Sequence, residues 1–197
     1  MTGDFCRRAS SLHNLDAHFH LSLQSGCDAT LKRMNRKYDT ARFLESVNLL
    51  RQWFDRPGIT ADLIVGFPGE TTEEFEDTLK VLEEVRFDAL FTFIFSPRPG
   101  TPAAEMDDPM SKEEKLANFN RLTALQDAIS EEKHQAYIGK TVRCLIDGLC
   151  DDERWDLTAR TPGNRLVRVV GDKSALGQFR DVKITDANKW SLFGELV

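Results

Sequence analysis

Two glycines bracket a phenylalanine and a proline in Gly66-Phe67-Pro68-Gly69-Glu70, the stretch of this sequence best suited to hold a ligand. Glycine permits positive φ and lets a ligand approach the backbone, while proline forbids continuation of an extended run. The apolar segment 62–65 before the turn predicts a buried strand. After it, Thr71 and Glu74 have the spacing of a reciprocal capping box, which predicts a helix start. Strand, glycine turn and helix is the unit at whose carboxyl end α/β proteins collect ligands; an ordinary tight turn would use the same residues. Arg98 is the second candidate. Three prolines in Ser96-Pro97-Arg98-Pro99-Gly100-Thr101-Pro102 stiffen its loop and fix a guanidinium suited to a phosphate, a carboxylate or a base edge, with a rigid surface turn as the alternative. His18 and His20 alternate with apolar residues. No third ligand shares their spacing, so hydrogen-bonded strand positions are expected rather than metal ligands.

The elements that would position these groups follow in order. Residues 1–17 show no period and read as an irregular lead-in. A strand over 18–23 ends in a turn at Gln24-Ser25-Gly26-Cys27-Asp28, and Lys32 to Lys37 packs four cations into six residues, a solvated basic face or an anion site. Phe43, Val47, Leu50 and Phe54 share a face of a helix over 40–54 capped by Thr40. Phe75, Leu79, Leu82 and Val85 carry the next helix to about residue 86. The run 89–95 is apolar almost throughout and predicts a strand covered on both faces. Ser111 and Glu114 form a second capping box, and the helix behind it runs to about residue 137. Three βα units imply a parallel sheet with right-handed crossovers and a bare edge on the first-strand side, which requires further sequence or a partner to cover it. Beyond residue 138 short strands at 141–146, 155–161, 166–170, 179–184 and 191–196 alternate with Gly, Asn and Asp turns, as in a small antiparallel barrel. The expected domains are therefore 1–137 and 138–197.

The net charge of −6 argues against indiscriminate nucleic-acid binding. Residues 139–197, with 10 Lys+Arg against 9 Asp+Glu, are the less acidic part, and Arg160, Arg165, Arg168, Arg180 and Lys183 could meet backbone phosphates there. No apolar run approaches a membrane span, and the first residues lack the apolar stretch of a signal peptide, so a cytoplasmic protein is expected. Cys6, Cys27, Cys144 and Cys150 are scattered, which speaks against a disulfide framework or a zinc site.

H-F-H-L-S-L-Q-S-G-C-D-A-T-L-K-R-M-N-R-K-Y (18–38), D-L-I-V-G-F-P-G-E-T (62–71) and F-I-F-S-P-R-P-G-T-P-A-A (93–104) together resemble the radical SAM methylthiotransferases that modify tRNA. A-R-T-P-G-N-R-L-V (159–167) and G-Q-F-R-D-V-K-I-T-D-A (177–187) resemble their TRAM domain, although Ala159 stands where the family usually has glycine. The resemblance implies an α/β fold, the last part of an incomplete (βα) barrel followed by an OB-like β-barrel. It also implies S-adenosylmethionine and [4Fe-4S] clusters as cofactors, a 2-methylthioadenosine product and the tRNA anticodon stem-loop as partner. On it, Gln24, Ser25, Gly66, Pro68, Gly69 and Glu70 would lie at the cofactor, Arg98 would face cofactor or substrate, and Arg160, Asn164, Arg165 and Lys183 would grip RNA. The family's C-x-x-x-C-x-x-C loop is not in this sequence, so the chain alone is expected to be inactive. The segment 22–38 is closer to members acting on threonylcarbamoyladenosine. The Arg98 loop and the TRAM segment are closer to those acting on isopentenyladenosine, which is the expected substrate; a threonylcarbamoyladenosine-specific enzyme and an RNA-binding chain without catalysis are the alternatives.

Overall fold

A computed structural model describes all 197 residues. Strands β1 (His18–His20), β2 (Gly58–Val65) and β3 (Ala89–Ile94) form a parallel sheet in that order, crossed by α3 (Thr40–Trp53) and α4 (Thr72–Val85) and followed by α5 (Lys112–Gln135). Both capping boxes form, Thr71 with Glu74 and Ser111 with Glu114, so each helix start is set by four adjacent residues. The cap of α3 is Asp39 rather than Thr40, because the carboxylate accepts from the Arg42 N–H at 2.8 Å. Residues Gly3–Ala9 form α1, not an irregular lead-in; two turns are too few to show a period, and buried Cys6 pins them to the core. A short helix, α2 (Asp28–Arg33), fills the β1 to α3 connection.

On one face of the sheet Ile59, Ala61, Leu63 and Val65 meet Phe43, Val47 and Leu50 from α3 and Phe75 and Leu82 from α4. The opposite face stays open, with Phe91 54% and Phe93 55% exposed. The expectation that β3 is covered on both faces therefore fails: three strands do not curl far enough to bury their concave side.

Strands β4 (Thr141–Leu149), β5 (Leu157–Arg160), β6 (Leu166–Val170), β7 (Phe179–Ala187) and β8 (Leu192–Leu196) close a barrel in the order β4-β5-β6-β8-β7 around Ile146, Leu157, Val167, Val169 and Ile184. It is antiparallel except that β6 and β8 pair in parallel, a closure that turn residues cannot reveal. Bulges at Ile146/Gly148 and Ile184/Asp186 bend the strands round the barrel.

The barrel sits against the amino ends of the sheet strands. His134 Nδ1 lies 2.6 Å from the Asn188 carbonyl, Gln135 donates to the Ala187 carbonyl at 3.1 Å, and Arg165 and Lys133 both reach the Asp88 carboxylate. Gly58 packs backbone to backbone on Gly163, where a Cβ would land on the Gly163 carbonyl. Gly58→Ala is accordingly expected to cost about 1–3 kcal/mol by forcing the two parts apart, read as a lower urea midpoint. Gly3→Ala, at a helical position whose Cβ would meet nothing nearer than 3.9 Å, should not lower the midpoint.

Candidate functional site

The carboxyl ends of the three strands bring three turns side by side, because Gln24 bridges Leu63 and Val65 pairs with Ile94. After β1, the Gln24 backbone donates to the Asp62 carbonyl at 2.8 Å and accepts from the Ile64 N–H at 2.9 Å. Those two bonds hold Gln24 at φ 71, a region a non-glycine residue occupies only when its surroundings impose it. Its side-chain amide makes no hydrogen bond within the chain. Ser25 points the other way: it is fully buried, accepts from the Cys27 N–H at 3.2 Å and lies 3.4 Å from Thr78 Oγ1. Gly26 donates to that same Thr78 oxygen at 3.0 Å, and any Cβ on it would come within 2.5 Å of Thr78 Cα. Ser25 and Gly26 thus anchor the turn on α4, and Gln24 is the group it presents.

After β2, Gly66 (φ 71) and Gly69 (φ 75) take the left-handed conformation that glycine favours. Glu70 closes the turn by accepting from the Gly66 N–H at 2.6 Å. Burial is the largest influence on its carboxyl and raises its pKa to about 7, against the opposing Gly66 hydrogen bond. Neighbouring Glu74 raises it further, while Arg33 and Lys115 pull it down. Pro68 is buried beside Phe67, whose ring meets Phe95 edge-on at 5.2 Å. The stem of Lys115 lies across Gly66, where a Cβ would be 2.5 Å from its Cγ. Of the Lys32–Lys37 cluster, Arg33 is committed to Glu74 and Thr30. Arg98 occupies an exposed loop, where its carbonyl accepts from the Thr101 N–H at 3.2 Å and from Thr101 Oγ1 at 2.8 Å; its guanidinium makes no ion pair.

On the concave face His18 Nε2 and His20 Nδ1 share Thr60 Oγ1, at 3.2 and 3.1 Å, and His20 Nε2 lies 3.2 Å from Asp62 Oδ2. Desolvation, aided by His20, lowers the pKa of His18 and favours its neutral ring.

The sequence-derived RNA contacts on the barrel separate. Arg160 is partly exposed and holds Asp147 at 3.0 Å, Lys183 donates to the Gly139 carbonyl at 2.6 Å, and Asn164 turns at φ 62 at the tip of Pro162-Gly163-Asn164. Arg165 lies apart from these. Its side chain is buried between Asp88 and the Tyr137 ring, where it joins the two parts of the chain. Composition missed Arg143, which lies over the exposed Phe179 ring at 5.6 Å, and Asp88, whose partners are remote in sequence.

The pattern of the Radical SAM superfamily matches residues 5–82, and that of the TRAM domain matches 135–197. The first part of the chain is thus similar to radical SAM domains and its last part to TRAM domains. Proteins named tRNA-2-methylthio-N(6)-dimethylallyladenosine synthase are similar to it. The one from Clostridium botulinum is 40% identical over 99% of this chain and 43% of its own length. That from Anoxybacillus flavithermus is 46% identical over 93% and 35%, and that from Thermoanaerobacter pseudethanolicus 46% over 91% and 38%. The chain therefore spans less than half the length of these curated relatives. Coproporphyrinogen III oxidase from Escherichia coli, a radical SAM enzyme, has the same fold over 94% of this chain and 49% of its own, with a TM-score of 0.55 and 15% identity.

Radical SAM methylthiotransferases use S-adenosylmethionine and [4Fe-4S] clusters. The first fits: the unengaged Gln24 amide and the glycine backbone of 66–69 offer polar groups and close approach at adjacent strand ends. The second does not, since no three His, Cys, Asp or Glu side chains converge, and Cys6 and Cys144 are sealed in separate cores. No helix is long and apolar enough to cross a membrane.

Proposed function

We propose that this chain serves a cytoplasmic tRNA methylthiotransferase that forms 2-methylthioadenosine, acting on isopentenyladenosine beside the anticodon. The observation that carries this reading is the 40–46% identity, over 91–99% of the chain, to proteins named for that product. S-adenosylmethionine supplies radical chemistry when bound. Gln24, Gly66, Pro68, Gly69 and Glu70 shape its pocket, Ser25 holds the Gln24 turn in place, and Arg98 faces the substrate from its exposed loop. The TRAM barrel grips the anticodon stem-loop through Arg160, Asn164 and Lys183, which places binding energy remote from the reacting carbon.

Deleting the gene in its host is expected to remove the 2-methylthio mark from tRNA nucleosides measured by mass spectrometry; a mark that survives would overturn the assignment. The lack of a cluster-binding set favours a second reading, RNA binding without catalysis. Under either reading the purified chain should bind a tRNA stem-loop with an affinity that falls as salt rises, about one power of salt concentration per phosphate contacted. Catalysis with S-adenosylmethionine is expected only when a cluster is supplied from outside these residues.

A further inference from the structure

A crevice apart from the carboxyl-end turns opens between the uncovered sheet face, α5 and the barrel loops at 160–166 and 189–190. It encloses about 810 Å3, the size of a small-ligand site. Two polar atoms on its walls are buried without a partner, Gln126 Oε1 and Arg165 Nη1, on residues that are each 7% exposed. Buried polar groups are rarely left so. Neither can turn away. The Gln126 amide nitrogen donates to the Phe87 carbonyl at 3.1 Å and to Ser130 Oγ at 2.9 Å, and the other amino group of Arg165 is held by Asp88. Two lining residues thus keep one fixed acceptor and one fixed donor just beneath the crevice surface. Trp190, 69% exposed, adds an aromatic platform, with Arg160 and Lys189 among the lining cations.

A flat ring with a donor and an acceptor on its edge, linked to a phosphate, matches this set, which is the description of an unpaired nucleotide. We infer that the crevice receives one unpaired nucleotide of the tRNA, its base stacked on Trp190, its edge toward Gln126 and Arg165, and its phosphate toward Arg160 and Lys189. The inference rests on the tRNA reading above. His18, Asp88 and Ala89 line the crevice at the amino ends of the strands, and its wall continues along β3 through Phe91 and Thr92. The nucleotide held here would set how the loop is placed.

The test uses the full chain and an anticodon stem-loop RNA carrying 4-thiouridine at successive loop positions. Photocrosslinking is expected to join one position to the peptide containing Trp190. Trp190→Ala should weaken binding about tenfold and Trp190→Tyr much less, since one stacked base is worth roughly that factor or more, while urea unfolding stays unchanged because the ring is exposed. RNA bound equally well by Trp190→Ala and crosslinked only around Phe179 would overturn the inference and leave the tRNA reading standing. Occupation of the crevice by free AMP or UMP that the stem-loop fails to displace would also overturn it. Absence of any RNA binding would sink both.

Discussion

Asp88→Ala is expected to destabilise the chain by about 3–5 kcal/mol, the cost of leaving buried cations uncompensated. One Asp88 oxygen accepts from both Arg165 and Lys133, the latter at 2.8 Å, and the other accepts from the Ile59 N–H at 2.7 Å. Arg165 comes from the barrel, Lys133 from α5 and Ile59 from the sheet, so one carboxylate ties three elements together. Desolvation lowers the pKa of Lys133, and Asp88 is the first influence that opposes it. Without the carboxylate, Arg165 is left among buried groups with one amino group that already has no partner. Urea unfolding followed by circular dichroism should show the loss, and limited proteolysis should show cleavage between α5 and β4. Asp88→Leu combined with Arg165→Met should recover part of it, because a buried pair replaced by apolar groups is often neutral. A loss below about 1 kcal/mol in Asp88→Ala would mean that water reaches these groups and screens them as at a surface.

How far this architecture was legible in the sequence depended on the range of the interactions involved. The Thr71 and Ser111 capping boxes and the Gly66–Gly69 turn are made by neighbours, and residue types at fixed spacing sufficed to place them. Arg165 shows the opposite case. Counting charges marks it as a free cation, because its partner lies 77 residues away and no local pattern announces the pairing. The apolar run of β3 records that something apolar meets the strand but not on which face, so the open side carrying Phe91 and Phe93 could not be read from it. Gln24 was recognised only through family likeness. Its physical distinction, a left-handed backbone and an unengaged amide, comes from pairing with β2. The crevice is assembled from β3, α5 and two barrel loops, and Gln126 and Trp190 carry no motif of their own.

Glu70→Gln should change how stability depends on pH more than any other single substitution at the carboxyl-end turns. The folded chain holds the Glu70 carboxyl at a pKa of about 7 against an ordinary 4.5, chiefly because burial disfavours the charged form. A raised acid means that the folded state binds the proton more tightly than the unfolded one. Its contribution is therefore fully present below pH 4.5 and is lost as the pH rises through 7, a change of about 3 kcal/mol. Glutamine keeps an oxygen to accept from the Gly66 N–H and cannot ionise. The difference in unfolding free energy between Glu70→Gln and the parent should therefore grow in favour of the variant by about that amount from pH 4.5 to pH 8. Taking the difference cancels the acids shifted the other way, such as Glu74, which its hydrogen bond with Arg33 holds below the usual carboxylate range. Urea titrations of both proteins at pH 4.5, 6, 7 and 8 measure it. A flat difference would show that Arg33 and Lys115 keep Glu70 ionised throughout, and the turn would then present a fixed negative charge at the strand ends.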